Sequence, residues 1–275
     1  MPVAGSGKGN PAYSAYRLLW TAIDWVYPPH CAGCGAFGER FCRSCLSQVV
    51  EIRPPYCRKC GQPTDDLELC PICRSSSPAF DSLRSWAIFS GPLREAMHRM
   101  KYRRDLGLGE VFGGALAGFY RSLNWHVDLV VPVPLSAGRM SARGYNQAAL
   151  LAWPLALACR TRYNPGVIQR VRETPSQVGL SLEERRKNVS AAFCADPRQV
   201  SQQSVLIVDD VATTGSTIEA CAQALKEAGA ARVYGLTLAR ALARNRSDYT
   251  SADAPDGLML AAENVKVNKD RPNIF

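Results

Sequence analysis

One stretch, residues 204–229, restricts the fold of this chain more than any other, because a strand pattern, two adjacent acids and a helix pattern follow one another without a break. Residues 205–208 are apolar and mostly β-branched, which is typical of a strand buried on both faces of a parallel sheet. Asp209 and Asp210 come next, and helical periodicity runs over residues 218–226. The stretch therefore predicts an α/β fold with a pair of carboxylates where a strand ends.

The loop between the acids and the helix has the composition of a phosphate site. Its residues, 211–217, are Val, Ala, Thr, Thr, Gly, Ser and Thr, and these small side chains leave backbone N–H groups and hydroxyls uncovered. Unpaired N–H groups at the positive end of a helix dipole bind phosphate. Two acids beside a bare phosphate are unfavourable, but they accept hydrogen bonds from ribose hydroxyls and suit Mg²⁺ on a pyrophosphate. The glycine spacing of a Walker loop or a dinucleotide fingerprint is absent from this stretch.

Residues 205–217 resemble, without interruption, the phosphoribosyl-pyrophosphate (PRPP) loop of type I phosphoribosyltransferases. The resemblance implies the type I phosphoribosyltransferase fold, a parallel sheet with flanking helices, and PRPP with Mg²⁺ as the ligand. It also implies a set of PRPP-binding residues: Asp209, Asp210, Val211, Ala212, Thr213, Thr214, Gly215, Ser216 and Thr217.

The N-terminal part of the chain carries a second strong pattern, four Cys-x-x-Cys pairs in tandem. The pairs are Cys31 with Cys34, Cys42 with Cys45, Cys57 with Cys60, and Cys70 with Cys73. Two such turns supply the four thiolates of a tetrahedral zinc site, and four thiolates leave no open position for catalysis. The pattern therefore predicts two structural zinc ions. The repeat favours sequential pairing of neighbouring turns, and a cross-braced arrangement stays open.

Charge and cysteine content restrict the environment and the partners. Lys and Arg outnumber Asp and Glu by 20 to 12 in residues 84–241, whereas the two sides nearly balance elsewhere. Such an excess favours phosphate-rich partners, small molecule or nucleic acid. The chain shows no apolar run long enough to span a membrane and no signal peptide, so we expect a cytoplasmic protein without membrane insertion. Cys159, Cys194 and Cys221, outside the tandem pairs, are interpreted as small buried hydrophobes.

Composition divides the chain into four parts. Residues 1–27 are interpreted as a leader with a short amphipathic helix over 13–26, and residues 28–79 as a double zinc ribbon. Residues 80–241 form the phosphoribosyltransferase-like domain, with strands predicted at 86–89, 127–133 and 232–238 and helices at 92–102 and 106–123. Residues 242–275 lack periodicity, which predicts a disordered tail.

Two polar segments of that domain are rich in arginine. The loop 136–147 contains Arg139 and Arg143 without nearby acids, which favours contact with phosphate or pyrophosphate. Residues 169–188 contain Arg172 and few apolar residues, so a mobile lid and an ordinary surface loop are equally compatible with the composition.

Taken together, the Cys-pair ribbon, the Val-Val-Pro-Val-Pro-Leu strand end, Arg-Gly-Tyr-Asn-Gln, Arg-x-Thr-x-x-Gln and the PRPP-type loop resemble the ComF family. The resemblance covers about residues 27–241. It implies a role in DNA uptake or single-stranded DNA handling during natural transformation, with a DNA-uptake helicase or recombination mediator as partner; a relative, GntX, is linked to gluconate use. It also implies catalytic roles for Asp209 and Asp210 at the ribose hydroxyls and for Arg172 and Lys101 at the pyrophosphate.

Two other functions stay open from the sequence: a phosphoribosyltransferase of nucleotide metabolism or salvage, and a non-catalytic module that binds PRPP or nucleic acid. For single-stranded DNA, we expect contacts from Arg103, Arg104, Arg139 and Arg143 to phosphates, with Tyr56 and Trp86 stacking on bases.

Overall fold

The computed structural model describes residues 10–65, 68–171 and 192–242. Three helices precede the first strand of the main sheet: α1 (Pro11–Val26), α2 (Arg43–Ser47) and α3 (Pro71–Ser76). The remaining described helices are α4 (Gly91–Tyr102), α5 (Leu108–Ser122), α6 (Ala137–Arg143), α7 (Gln147–Cys159), α8 (Pro197–Val200) and α9 (Ser216–Glu227). The strands are β1 (Ser82–Ile88), β2 (Leu129–Pro132), β3 (Arg162–Tyr163), β4 (Ile168–Arg170), β5 (Phe193–Ala195), β6 (Ser204–Ala212) and β7 (Arg232–Arg240).

The main sheet has five strands in the order β1-β7-β6-β2-β3, and every neighbouring pair is parallel. The α/β class predicted from the sequence is therefore confirmed. Strands β4 and β5 form a separate antiparallel pair. Because all strands of the main sheet point the same way, β2 and β6 end at one edge, where ligands of open parallel sheets bind.

Successive residues of β6 enter opposite cores, as the two-residue period of a strand requires. Leu206 and Val208 join the core that contains α4, α5 and α7, whereas Val205 and Ile207 join the core that contains α9. Helix α5 packs closely on α7 at a glycine: a Cβ added to Gly113 would lie 2.3 Å from Cγ of Pro154 in α7. The sheet is thus covered by helices on both faces.

The cysteine-rich segment packs on the α/β domain. The stretch between its two halves pairs with the edge strand β1, where Ile52 N–H donates to Trp86 O at 2.9 Å and Ile88 N–H donates to Val50 O at 2.8 Å. This pairing covers a sheet edge that would otherwise expose unpaired N–H and C=O groups. Cys31, Phe41 and Cys45 are part of the same core as α4 and α5.

Helix α1 packs on α7, and its aromatic side chains make the contact. The ring of Tyr16 meets Trp153 of α7 edge-on with 5.0 Å between centroids. Helix α1 also contacts the cysteine-rich segment, where the guanidinium of Arg40 lies 4.7 Å above the ring of Trp20. Asn10 caps the helix, its side chain accepting from Ala12 N–H at 3.1 Å. Among the described residues, no helix has both the length and the apolarity needed to cross a bilayer.

Three expectations from the sequence are wrong in detail. Strand β6 does not stop before the acids but continues through them to Ala212, because Val211 and Ala212 pair with Ala239 and Arg240 of β7. The segment 136–147 is not a loop throughout: Ser136 caps the short helix α6. Cys194 is exposed on the pair β4–β5, whereas Cys221 is buried as predicted and Cys159 is partly buried. The segment 169–188, for which a lid and a surface loop were equally compatible with the composition, and the tail predicted at 242–275 fall almost wholly outside the described residues.

Candidate functional site

The acidic pair lies at the carboxyl end of β6, and Asp210 faces a lysine from α4. Lys101 Nζ is 2.9 Å from Oδ2 of Asp210, and both side chains are mostly shielded from water. Asp209 Oδ1 accepts from Asp210 N–H at 2.8 Å, and Asp210 Oδ1 accepts from Val211 N–H at 2.9 Å. The fold therefore brings together Asp209, Asp210 and Lys101, three of the residues predicted to act at the site.

Burial and the lysine give the two acids different proton affinities. Burial, followed by the neighbouring charge of Asp210, raises the pKa of Asp209 well above its usual value. Burial also acts to raise the pKa of Asp210, but Lys101, together with hydrogen bonds from Asp209 and the Val211 amide, outweighs it and lowers that pKa. Divergent pKa values in adjacent carboxyls are typical of functional sites.

The loop that follows β6 presents hydroxyl groups at the start of α9. Gly215 caps this helix with φ +82°, a left-handed conformation that favours glycine. Thr213, Thr214, Ser216 and Thr217 have exposed side chains, and Ser216 N–H donates to Thr214 Oγ1 at 3.3 Å. The helix N-terminus, its amides and these hydroxyls form the arrangement that binds phosphate in proteins.

A cationic cavity of about 230 Å³ adjoins the acidic pair, between the end of α4 and α6. It is lined by Lys101, Tyr102, Arg104, Arg139, Ala142 and Arg143. The guanidinium of Arg143 lies 5.5 Å from the centroid of the Tyr102 ring, and the Tyr145 hydroxyl donates to the Met100 carbonyl, which joins α4 to the segment after α6. Four cations around one cavity are suited to a pyrophosphate or to the phosphates of a nucleic acid.

The remaining predicted residues divide into those near this cavity and those elsewhere. Arg103 follows α4 and is exposed, but it does not line the cavity. Arg172 lies outside the described residues. The prediction that bases stack on Trp86 is wrong, because Trp86 is a core residue with 8% of its surface exposed. Tyr56 is partly covered by the guanidinium of Arg84, 4.7 Å from its ring.

Sequence reasoning missed two residues of this region. Tyr102 lines the cavity, and nothing in the sequence distinguishes it from a surface tyrosine. Asp105 forms an ion pair with Arg99, with 3.2 Å between Oδ2 and Nη2, and its Oδ1 lies 3.9 Å from Nη1 of Arg40. Its position one residue after the basic run at 103–104 was the available signal, since a lone acid there predicts a local counter-charge.

The eight paired cysteines form two separate clusters, Cys31, Cys34, Cys42 and Cys45 in the first, and Cys57, Cys60, Cys70 and Cys73 in the second. Pairing is therefore sequential and not cross-braced. Within each cluster all four sulfur atoms lie within 4.8 Å of one another, and the Cys34–Cys42 and Cys60–Cys70 separations are both 3.7 Å. Tetrahedral Zn–S bonds of about 2.3 Å place sulfurs ~3.8 Å apart, so the clusters fit zinc.

Amide groups support the thiolates in the same way in both clusters. Cys42 N–H donates to Cys31 Sγ at 3.3 Å, and Cys70 N–H donates to Cys57 Sγ at 3.3 Å. Burial acts against the charged form, but these and other amide donors outweigh it and lower the pKa of Cys31 and of Cys57 to about 6. Each cluster thus contains a thiol prepared to bind a cation as thiolate.

The fold and these sites define a class: an α/β protein of the type I phosphoribosyltransferase fold, preceded by a double zinc ribbon. Residues 22–74 match the family model of the double zinc ribbon domain, and residues 108–257 match that of the phosphoribosyl transferase domain. The second match covers more than half of the chain.

Three relatives place the chain more closely. The DNA utilization protein YhgH of Salmonella typhimurium is 34% identical over 205 residues, which are 72% of this chain and 90% of the relative. Competence protein F of Haemophilus influenzae is 29% identical over 77% of this chain and 96% of its own length. Competence protein ComFC of Bacillus subtilis is 28% identical over 81% of this chain and 90% of its own length. The chain belongs to the ComF family.

Proposed function

We propose that this protein binds PRPP with Mg²⁺ at the carboxyl end of β6 and serves in the use or uptake of DNA. The observation that carries the first half is the Lys101–Asp210 pair placed between a hydroxyl-rich loop and a cationic cavity. In this arrangement the loop 213–217 holds the 5-phosphate, the acids accept from the ribose hydroxyls, and the cavity takes the pyrophosphate. Mg²⁺ on the pyrophosphate would supply further charge neutralisation.

The fold also supports a reaction. Transfer breaks the bond between ribose C1 and the pyrophosphate oxygen and joins C1 to a nucleophilic atom of an acceptor, while pyrophosphate leaves with the bonding electrons. Cations fixed around the cavity would stabilise the charge that develops on the leaving group. Release of pyrophosphate in the presence of candidate acceptors, nucleobases first, separates a transferase from a protein that binds PRPP without using it.

A thermal denaturation series with zinc-loaded protein tests the binding. A ligand at a hundredfold excess over its dissociation constant contributes about 2.7 kcal/mol, so PRPP with Mg²⁺ raises the unfolding temperature. The double variant Asp209→Asn, Asp210→Asn loses the increase, while Glu227→Gln, which removes an exposed carboxylate on α9, retains it. An undiminished increase in the double variant would contradict the proposed site.

A role with DNA has a separate observation behind it. Arg104 and Arg139 are exposed at the open cavity, and Tyr102 beside them has 49% of its surface exposed. Cations track a flexible phosphate backbone and an exposed aromatic ring stacks on an unpaired base, so single strands are favoured over duplex. The names of the relatives, which refer to competence and DNA utilization, agree with this proposal.

A further inference from the structure

Each zinc cluster is contacted by an arginine of the α/β domain, and the two contacts are of the same kind. Arg99 of α4 donates from Nη1 to the backbone carbonyl of Cys31 at 3.2 Å. Arg240, the last residue of β7, donates from Nη2 to the backbone carbonyl of Cys60 and from Nη1 to Gln62 Oε1 at 3.5 Å. We call Arg99 and Arg240 the bridging arginines.

The environment of Arg240 requires a negative partner. Its exposed fraction is 2%, and a buried guanidinium is costly unless it is paired. Among the described residues no carboxylate forms an ion pair with it, and its guanidinium instead donates to the carbonyl of Cys60 and to the side chain of Gln62. Since four thiolates outweigh one divalent ion, a zinc-loaded cluster is net anionic and supplies the missing counter-charge.

Arg99 lies in a comparable network at the first cluster. Besides its bond to Cys31, it forms an ion pair with Asp105 at 3.2 Å. The other oxygen of Asp105 is 3.9 Å from Nη1 of Arg40, which lies two residues before the ligand Cys42. The first ribbon is therefore joined to the end of α4 through both Arg99 and Asp105.

The elements that carry the bridging arginines, α4 and β7, also adjoin the candidate PRPP site. Arg99 is two residues from Lys101 on the same helix, and Lys101 supplies the cation of the pair with Asp210. Arg240 is in register with Ala212 of β6, two residues beyond Asp210. The first ribbon is thus joined to α4, which carries Lys101. The second ribbon is joined to β7, which pairs with the strand β6 that carries Asp210.

The ribbons are packed so closely against these elements that a ribbon cannot shift without moving its neighbour. A Cβ added to Gly33 of the first ribbon would lie 2.8 Å from Cβ of Pro92 at the start of α4. One added to Gly61 of the second ribbon would lie 2.6 Å from the carbonyl oxygen of Leu83 in β1. A displacement of the Cys-x-x-Cys turn in either ribbon is therefore transmitted to the α/β domain, because close-packed interiors transmit strain.

We propose that Arg99 and Arg240 are positioning residues through which zinc occupancy of the two ribbons sets the affinity of the Lys101–Asp210 site for PRPP. This inference rests on the proposed function. Coupling between two sites is reciprocal, so PRPP must also raise the affinity of the ribbons for zinc.

Affinity measurements on the full, zinc-loaded chain test the inference. Arg99→Gln and Arg240→Gln weaken PRPP–Mg²⁺ binding by about tenfold, a coupling of usual size. The matched control is Arg84→Gln: this arginine also donates to a ribbon carbonyl, that of Arg58 at 2.9 Å, but from β1, which β7 separates from the strand β6 that carries Asp210. Zinc content is measured on every sample, and Arg240→Lys, which keeps the charge, recovers part of the affinity if the Gln variant folds poorly. Equal affinities in all three Gln variants would overturn the inference.

A second readout distinguishes this failure from failure of the proposed function. Hydrogen exchange is followed on unliganded protein with zinc and after chelation. Coupling predicts that zinc removal increases exchange in residues 98–105 and 237–241 as well as in the ribbons. If wild-type protein binds no PRPP, the proposed function fails while this exchange result still tests the connection. Exchange that increases in the ribbons alone overturns the connection, whatever PRPP does.

Discussion

The ammonium group of Lys101 lies 2.9 Å from Oδ2 of Asp210, and the two side chains are 19% and 13% exposed. So little exposure to water means that neither charge is solvated well enough to tolerate loss of the other. The neighbouring carboxyl, Asp209, is partly buried and has no cation of its own at ion-pairing distance among the described residues. The ionised carboxylate of Asp210 is therefore expected to stabilise the folded protein, whereas the ionised carboxylate of Asp209 is expected to destabilise it.

Replacing these acids one at a time tests that difference. Asp210→Asn removes the negative charge 2.9 Å from the Lys101 ammonium and lowers the free energy of unfolding by about 1–3 kcal/mol, the usual contribution of a hydrogen bond to a charged group. Asp209→Asn removes a carboxyl whose pKa is raised by burial and by Asp210. The stabilising proton on Asp209 is present below the ordinary pKa of aspartate and is lost as pH rises through the raised pKa.

Asp209→Asn is therefore expected to raise the unfolding temperature of unliganded protein, and by more at pH 8 than at pH 5. A gain of 1 kcal/mol corresponds to about 2–4 °C in a domain of this size. Thermal denaturation of both variants at the two pH values provides the measurement. Equal destabilisation by both substitutions would show that the acids are not distinguished by Lys101.

In each ribbon the first Cys-x-x-Cys turn is followed by a glycine, so the two glycines can be compared directly. Gly35 and Gly61 follow equivalent Cys pairs and have φ of +80° and +69°, so alanine is strained at both by about 1 kcal/mol. A Cβ on Gly35 meets nothing within 4 Å, whereas one on Gly61 would lie 2.6 Å from the Leu83 carbonyl. Gly61→Ala should therefore lower the denaturant midpoint more than Gly35→Ala does. Equal midpoints would contradict the tight packing between the second ribbon and β1.

Metal analysis of the purified protein is expected to find close to two zinc ions per chain, because two complete sets of four thiolates are present. Cys70→Ser should remove one ion, whereas Cys194→Ser, at an exposed cysteine outside the clusters, should remove none. Because Cys31, Phe41 and Cys45 belong to the core of the α/β domain, chelation should also lower the unfolding temperature of that domain. A domain transition that chelation leaves unchanged would show that the ribbons fold independently.

DNA binding is expected to depend on the cationic cavity more than on total charge. Arg104→Ala with Arg139→Ala should weaken binding of a single-stranded oligonucleotide and reduce the salt slope by about 0.7 for each phosphate that is no longer neutralised. The control is Arg53→Ala with Arg74→Ala, which removes the same charge from exposed arginines elsewhere; their side chains are 80% and 68% exposed. Anisotropy titrations at two salt concentrations measure both. The same weakening in both double variants would indicate a diffuse electrostatic surface.

Short-range patterns in the sequence determined much of the fold. The apolar run before Asp209, the small-residue loop and the periodic helix after it predict the β6-loop-α9 unit, because strand and helix periods and phosphate-binding loops are local properties. The cap of α7 is local in the same way, since the Asn146 side chain accepts from Ala148 N–H at 2.9 Å, two residues along the chain. The Cys spacing likewise indicated two zinc sites, since each Cys-x-x-Cys turn is complete within four residues.

Only the tertiary structure decided which distant groups meet. The sheet order β1-β7-β6-β2-β3 places Arg240 beside the second ribbon and brings Lys101 to Asp210, and nothing local to either residue specifies the partner. The same packing buries Trp86 in the core and leaves Cys194 exposed, against the expectation from residue type. A charged or aromatic side chain has similar propensities on a surface, in a core or in a site, so its role is settled by what the long-range fold packs against it.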